Sequence, residues 1–160
     1  MQIRKIEPSD NLQVKQVVID VMSAYNCVGE GYSILDPELD NMYAAYSDNR
    51  SVFYVISHDH ERILGCGGIA PLAGGDPEVC ELKKMYFYPE LRGKGYGRKL
   101  VELCLADAKA LGYSQCYLET VERMHRANYL YSKFGFEKLC NQKGATGHSG
   151  CDTYYIKQLT

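Results

Sequence analysis

The stretch from Leu82 to Leu100, LKKMYFYPELRGKGYGRKL, constrains this chain more than any other segment. An apolar run ending at Phe87 reads as a strand and Pro89 stops it. The turn Arg92-Gly93-Lys94-Gly95-Tyr96-Gly97 follows, and an amphipathic helix opens behind it. Backbone N–H groups at a helix start bind phosphate oxygens, and glycines let the ligand come close to that backbone. Arg92, Lys94 and Arg98 add charge-assisted bonds to the same diphosphate. Six of the chain's 18 Lys and Arg residues fall between Lys83 and Lys99, with one of its 20 Asp and Glu residues, although the net charge is −2. Basicity this concentrated selects a compact anionic ligand over a nucleic acid. Taken alone, RGKGYG also reads as a solvated glycine turn; its place between strand and helix favours the phosphate site. Arg98 breaks the dinucleotide pattern GxGxxG, and no GxxxxGK[ST] supports a nucleotide triphosphatase.

The rest of the chain supplies a frame for that turn. Ile3 to Ile6 starts a strand, and a helix follows with Val14, Val17, Val18, Val21, Met22 and Tyr25 on one stripe. After a loop from Asn26 to Leu35, Asp36-Pro37 caps a short helix through Tyr46. Ser51 to Ile56 and Ile63 to Leu72 form a hairpin, Val79 to Phe87 a third strand, and Gly95 to Leu111 a helix stopped by Gly112. Gln115 to Thr120 is a strand and Arg123 to Phe134 a helix. Phe136 to Cys140 and Thr153 to Leu159 close the sheet around the polar loop NQKGATGHSG. The order predicts an α/β fold with a mixed sheet and helices on both faces.

At 160 residues the chain fits a single domain over positions 1–160, long enough to bury roughly two-thirds of its unfolded surface. No apolar run reaches the roughly 20 residues of a membrane span, and MQIRKIEPSD lacks a secretory core, so a cytoplasmic protein without membrane partners is expected. The seven cysteines lack CxxC spacing and read as reduced thiols. His58, His60, His125 and His148 are dispersed, and no metal is expected.

LKKMYFYPELRGKGYGRKL resembles the central motif of the GNAT superfamily, the GCN5-related N-acetyltransferases, whose signature is Arg/Gln-x-x-Gly-x-Gly/Ala. Arg92, Gly95 and Gly97 match it. Ala127-Asn128-Tyr129-Leu130-Tyr131 with Gly135-Phe136 is similar to the family's later A-x-x-L-Y…GF segment, and the element order matches along nearly the whole chain. The resemblance implies a mixed, mostly antiparallel sheet of about seven strands flanked by four helices, splayed by a bulge at the cofactor strand. It implies acetyl-CoA as co-substrate, with Met85, Tyr86 and Phe87 holding the pantetheine arm and residues Arg92, Gly93, Lys94, Gly95, Tyr96, Gly97 and Arg98 the diphosphate. Met124 stands where family members often carry Asn, and Asn128 is the expected substitute.

Acetyl transfer to an amine needs the amine neutral, and a lysine-like amine has a pKa near 10, so a base accepts its proton. Glu81 is the candidate, at the position that resembles the catalytic glutamate of several family members; a strand glutamate paired with Lys83 or Lys84 is the plainer reading. Tyr131 matches the tyrosine of the later motif and is the candidate acid for the departing thiolate, against a purely packed core tyrosine. A backbone N–H near Phe87 is the expected oxyanion donor. Tyr25, Tyr32, Tyr43 and Tyr46 are candidates to line the acceptor pocket, though helical spacing also places such residues in a core. An acetyl-cysteine route through Cys151 and His148 lacks an orienting acid. The expected activity is acetyl transfer to a primary amine of a small molecule or peptide, by direct transfer through a tetrahedral intermediate; a homodimer is compatible with it. The alternative is a non-catalytic acyl-CoA sensor or interaction module.

Overall fold

Stop signals and periodicity translate into elements with small shifts. In the computed structural model, which describes residues 1–159, the order is β1 (Gln2–Lys5), α1 (Asn11–Ala24), α2 (Met42–Ala45), β2 (Val52–His58), β3 (Arg62–Pro71) and β4 (Val79–Phe87). Then come α3 (Tyr96–Ala110), β5 (Gln115–Thr120), α4 (His125–Lys133), β6 (Glu137–Leu139) and β7 (Thr153–Gln158). The strands form a seven-stranded sheet in the order β1-β2-β3-β4-β5-β7-β6, antiparallel throughout except for the β4/β5 pair. The short helix after Asp36-Pro37 divides into a 3-10 turn over Pro37–Asp40 and α2, because the Asn41 side chain accepts the Ala44 N–H and restarts the helix. No helix among the described residues is long and apolar enough to cross a membrane.

Each face of the sheet carries its own core. α1 buries Val14, Val17, Val18, Val21 and Met22 over Phe53, Val55 and Cys66; α3 buries Leu100, Val101, Cys104 and Ala108 over Ile69, Cys80 and Leu118. Burying one such aliphatic side chain contributes about 1.5–3 kcal/mol. Strand alternation sends Cys80, Leu82, Cys116 and Leu118 toward α3, and therefore turns Glu81, Tyr117 and Glu119 to the opposite face.

The feature that makes a site is a bulge in β4. Cys66 faces Tyr86 while Gly68 faces Lys83, so β4 carries an extra residue there. Lys84 takes φ 58°, a left-handed conformation that costs a non-glycine residue about 1–2 kcal/mol. Gly67 leaves room opposite for the Met85 side chain, whose sulfur lies where a Cβ would stand. Below the bulge β4 pairs with β5 only from Val79 to Glu81; above it the two strands part and leave a wedge open between them.

Candidate active site

Two cavities meet in that wedge. The larger, about 270 Å³, lies between the end of β4, the glycine turn, the start of α3 and α4. Its wall contains Met85, Tyr86, Phe87, Arg92, Gly93, Gly95, Tyr96, Gly97 and Arg98. The smaller, about 50 Å³, lies on the α1 side and is lined by Glu81, Glu119, His148, Cys27, Tyr32 and Cys151 among others. Met85, Tyr86, Met124, Ala127 and Tyr131 border both.

The turn is built by backbone conformation. Gly93 and Gly95 adopt φ 74° and 82°, with open space where a Cβ would stand, so glycine is needed there for its left-handed freedom. The chain then enters α3 directly, so the first turn of that helix, whose N–H groups have no partner within it, borders the larger cavity. Arg92 donates from its guanidinium to the Phe87 carbonyl at 3.1 Å and ties the turn to the strand end. Lys94 is exposed at the tip of the turn, outside the cavity wall, and Arg98 is paired at 3.1 Å with Glu102 on the helix surface.

Asn128 lies apart from both cavities. Its amide donates to the Val121 carbonyl at 3.0 Å and the Met124 carbonyl at 2.9 Å, and its oxygen accepts the Tyr155 hydroxyl at 2.8 Å. All of that fastens the turn before α4 to β7 and engages the Asn128 amide within the protein, while Met124 itself lines the junction.

Glu81 is buried, and burial pushes its carboxyl up to about 7. The plainer reading, a pair with a neighbouring lysine, is not what forms. Lys83 lies 3.2 Å and Lys84 2.8 Å from Glu38, and Lys84 also reaches Asp36. Burial would lower the Lys84 ammonium, but Glu38 and Asp36 together hold it above the usual lysine value. These contacts hold the strained bulge residue by its side chain.

Asp36 in turn accepts from His148 Nε2 at 2.9 Å, and His148 Nδ1 lies 3.4 Å from Glu119. Burial would lower the His148 imidazole, but the contacts to Asp36 and Glu119 raise it to about 9. His148 is therefore an imidazolium bridging two carboxylates at neutral pH. Burial also raises the Cys151 thiol to about 12, which disfavours the thiolate that an acetyl-cysteine route needs.

Tyr131 is buried between the two cavities, and burial pushes its phenol up, so it keeps its proton. Tyr32 lines the smaller cavity, Tyr25 the larger, and Tyr43 and Tyr46 lie outside both. Sequence reasoning passed over Asp36 and Glu119 as site residues. Asp36 looked like a helix cap, and Glu119 was one polar position of a strand. Its alternation with Cys116 and Leu118 was the available signal that it faces away from α3.

A splayed parallel strand pair and a glycine turn feeding a helix frame the two cavities, with Glu81 in the wall of the smaller and Tyr131 in the walls of both. Residues 18–136 match the acetyltransferase (GNAT) family, so the chain belongs to that family and is an acetyl-CoA-dependent acyltransferase. The chain is 37% identical to the uncharacterized N-acetyltransferase YjgM of Escherichia coli K12, over 98% of this chain and 94% of that one. Its fold is similar to a GNAT-family acetyltransferase from Staphylococcus aureus Mu50, with a TM-score of 0.84 at 21% identity and 99% of each chain covered. It is also similar to yncA, a putative acetyltransferase of Salmonella typhimurium solved with its cofactor acetyl-CoA. That match has a TM-score of 0.77 at 20% identity, covering 100% of this chain and 94% of the other.

Proposed function

We propose that this chain, as a single catalytic domain, transfers acetyl from acetyl-CoA to a primary amine by direct attack. The diphosphate of the donor sits on the turn Arg92–Gly97, and its pantetheine arm runs along Met85, Tyr86 and Phe87 into the junction. The observation that carries this reading is the meeting of a cavity walled by the glycine turn and a smaller acid-lined one at Met85, Tyr86 and Tyr131.

Glu81, on the acceptor side, takes a proton from the ammonium, and the free amine attacks the thioester carbonyl carbon. The C–N bond forms, and the oxyanion is received by a backbone N–H of β4 beyond the bulge, a donor already fixed in place. Collapse breaks the C–S bond as Tyr131 gives its proton to the departing thiolate, and the surplus proton left on the nitrogen passes to the Tyr131 phenolate. A base with a pKa near 7 suits this task, because it is ionised at neutral pH and still basic enough to accept a proton. Release of the Glu81 proton to solvent completes the turnover.

An amine panel read by mass spectrometry tests the reading. Acetylated product forming with equimolar CoA supports it. Thermal stabilisation by acetyl-CoA without turnover of any amine would instead mark a sensor.

A further inference from the structure

The smaller cavity carries information about the acceptor, resting on the amine-transfer reading above. Its floor is the Glu81 and Glu119 pair, which strand alternation places on one face of the splayed strands. One oxygen of Glu119 is committed: Oε2 accepts the Tyr117 hydroxyl at 2.8 Å and the Gln142 amide. The other, Oε1, belongs to a side chain only 1% exposed and has no hydrogen-bond partner among the described residues. His148 Nδ1 at 3.4 Å is an ion-pair contact outside hydrogen-bond geometry. A buried carboxylate oxygen left without a donor costs about 1–3 kcal/mol or more.

One ligand group satisfies this arrangement. Carboxylate oxygens of Glu81 and Glu119 and a nitrogen of His148 all lie within 4.8 Å of one another. An ammonium making two tetrahedral N–H bonds of ordinary length spans acceptors about 4.6 Å apart. Charge agrees. With Glu81 ionised, the four carboxylates of Asp36, Glu38, Glu81 and Glu119 face three cations, Lys83, Lys84 and His148. One more positive charge balances the cluster. A divalent metal fits less well, because both His148 nitrogens face carboxylates and offer no free lone pair.

Size narrows the class further. The loop after α1 and the loop before β7 close over the cavity: Gly150 N–H donates to the Gly31 carbonyl at 2.8 Å, and the Tyr32 ring lies flush against Gly150. Arg123 fastens the same roof by donating to the Tyr25 carbonyl at 2.8 Å. The remaining space is about 50 Å³. One water needs roughly 10–15 Å³ of such space, so the cavity takes an ammonium and the two or three atoms behind it, and a side branch competes for that same room.

We infer that the acceptor presents an unbranched aminomethyl group, R–CH2–NH3⁺, which enters as the ammonium and is held between Glu81 and Glu119, with Glu119 Oε1 as its fixed anchor. Glu119 is thus a substrate-binding residue that sets acceptor specificity. Lysine side chains and small alkylamines share this chemistry; amino groups on branched carbons, including peptide α-amines, do not.

The experiment is steady-state kinetics at saturating acetyl-CoA with 1-aminoalkanes, α,ω-diamines, their α-methyl-branched analogues, lysine-containing peptides and peptides with only an α-amine. Unbranched amines are expected to exceed branched ones in kcat/KM by about tenfold or more, and the lysine-peptide arm separates the two sources of the group. Glu119→Gln is expected to raise the amine KM about tenfold or more while acetyl-CoA affinity stays within about twofold. Glu119→Asp, which keeps the charge but retracts the oxygen, should fall between them. Should Glu119→Gln fail to fold, the parent enzyme still decides: 1-alkanols of matched length must fail to compete at concentrations where the amine saturates.

An unchanged amine KM in Glu119→Gln, a preference for branched amines, or competition by the alkanol would overturn the inference while leaving amine transfer standing. So would stoichiometric Zn²⁺ or Mn²⁺ binding that Glu119→Gln abolishes without raising the amine KM. No turnover of any amine by the parent would instead remove the underlying reading.

Discussion

Replacing Glu81 by Gln should make the protein more stable at alkaline pH while removing its base. The Glu81 carboxyl titrates near 7 in the folded chain because burial disfavours its charged form, against an ordinary value of 4.5. A carboxyl whose folded pKa is raised contributes stability that is fully present below the unfolded pKa and is lost as pH rises through the folded pKa. The window is therefore about pH 4.5 to 7, and the shift corresponds to about 3 kcal/mol lost across it. Gln has the same shape and does not titrate. Subtracting the unfolding free energy of the parent from that of Glu81→Gln at each pH cancels the other titrating groups to first order. The difference should grow by about 2–4 kcal/mol in favour of the variant between pH 4.5 and 8. For a chain of this size that is a melting-temperature gain of roughly 5–15 °C at the upper end. Urea titrations at five or six pH values provide the measurement. A difference that stays flat with pH would show that Glu81 is not held at a raised pKa, and its role as base would fall with it.

Other outcomes follow from the same geometry. Tyr131→Phe should lower kcat by about 10²-fold or more while leaving acetyl-CoA binding by calorimetry unchanged, because its hydroxyl acts on the departing thiolate. The pH profile of kcat/KM should show an acidic limb near pH 7 that Glu81→Gln lacks. Gly95→Ala should raise the acetyl-CoA KM and cost about 1–2 kcal/mol of stability, since the residue sits at φ 82° with no neighbour to clash with; urea titration and saturation kinetics separate the two effects. Lys84→Met should cost about 1–3 kcal/mol by removing the buried cation that half-buried Asp36 and Glu38 share, with His148 and Lys83 still beside them, read as a shift in the urea midpoint.

Most of the frame was legible because it is written in local signals. The stripe Val14, Val17, Val18, Val21 and Met22, the stop at Pro89 and the glycines of the turn each act within a few residues, and the elements formed where those signals lie. The wall of the larger cavity was readable for the same reason: Met85 to Gly97 is one continuous segment. The acceptor side was not, because it is assembled from Asp36, Glu81, Glu119 and His148, brought together only when β4 and β5 pair and two loops meet above them. Asn128 shows the converse case. Its motif position suggested the cofactor, whereas the backbone carbonyls of the preceding turn claim its amide.

The claim that an amine-acetylating junction lies between the two cavities is tested most directly by incubating the protein with acetyl-CoA and an unbranched primary amine, following CoA thiol and acetylated amine together. Equimolar release of both, abolished or strongly reduced in Glu81→Gln and in Tyr131→Phe with acetyl-CoA binding intact, is the predicted result. Acetyl-CoA that binds but yields no acetylated amine from any member of the panel would contradict it.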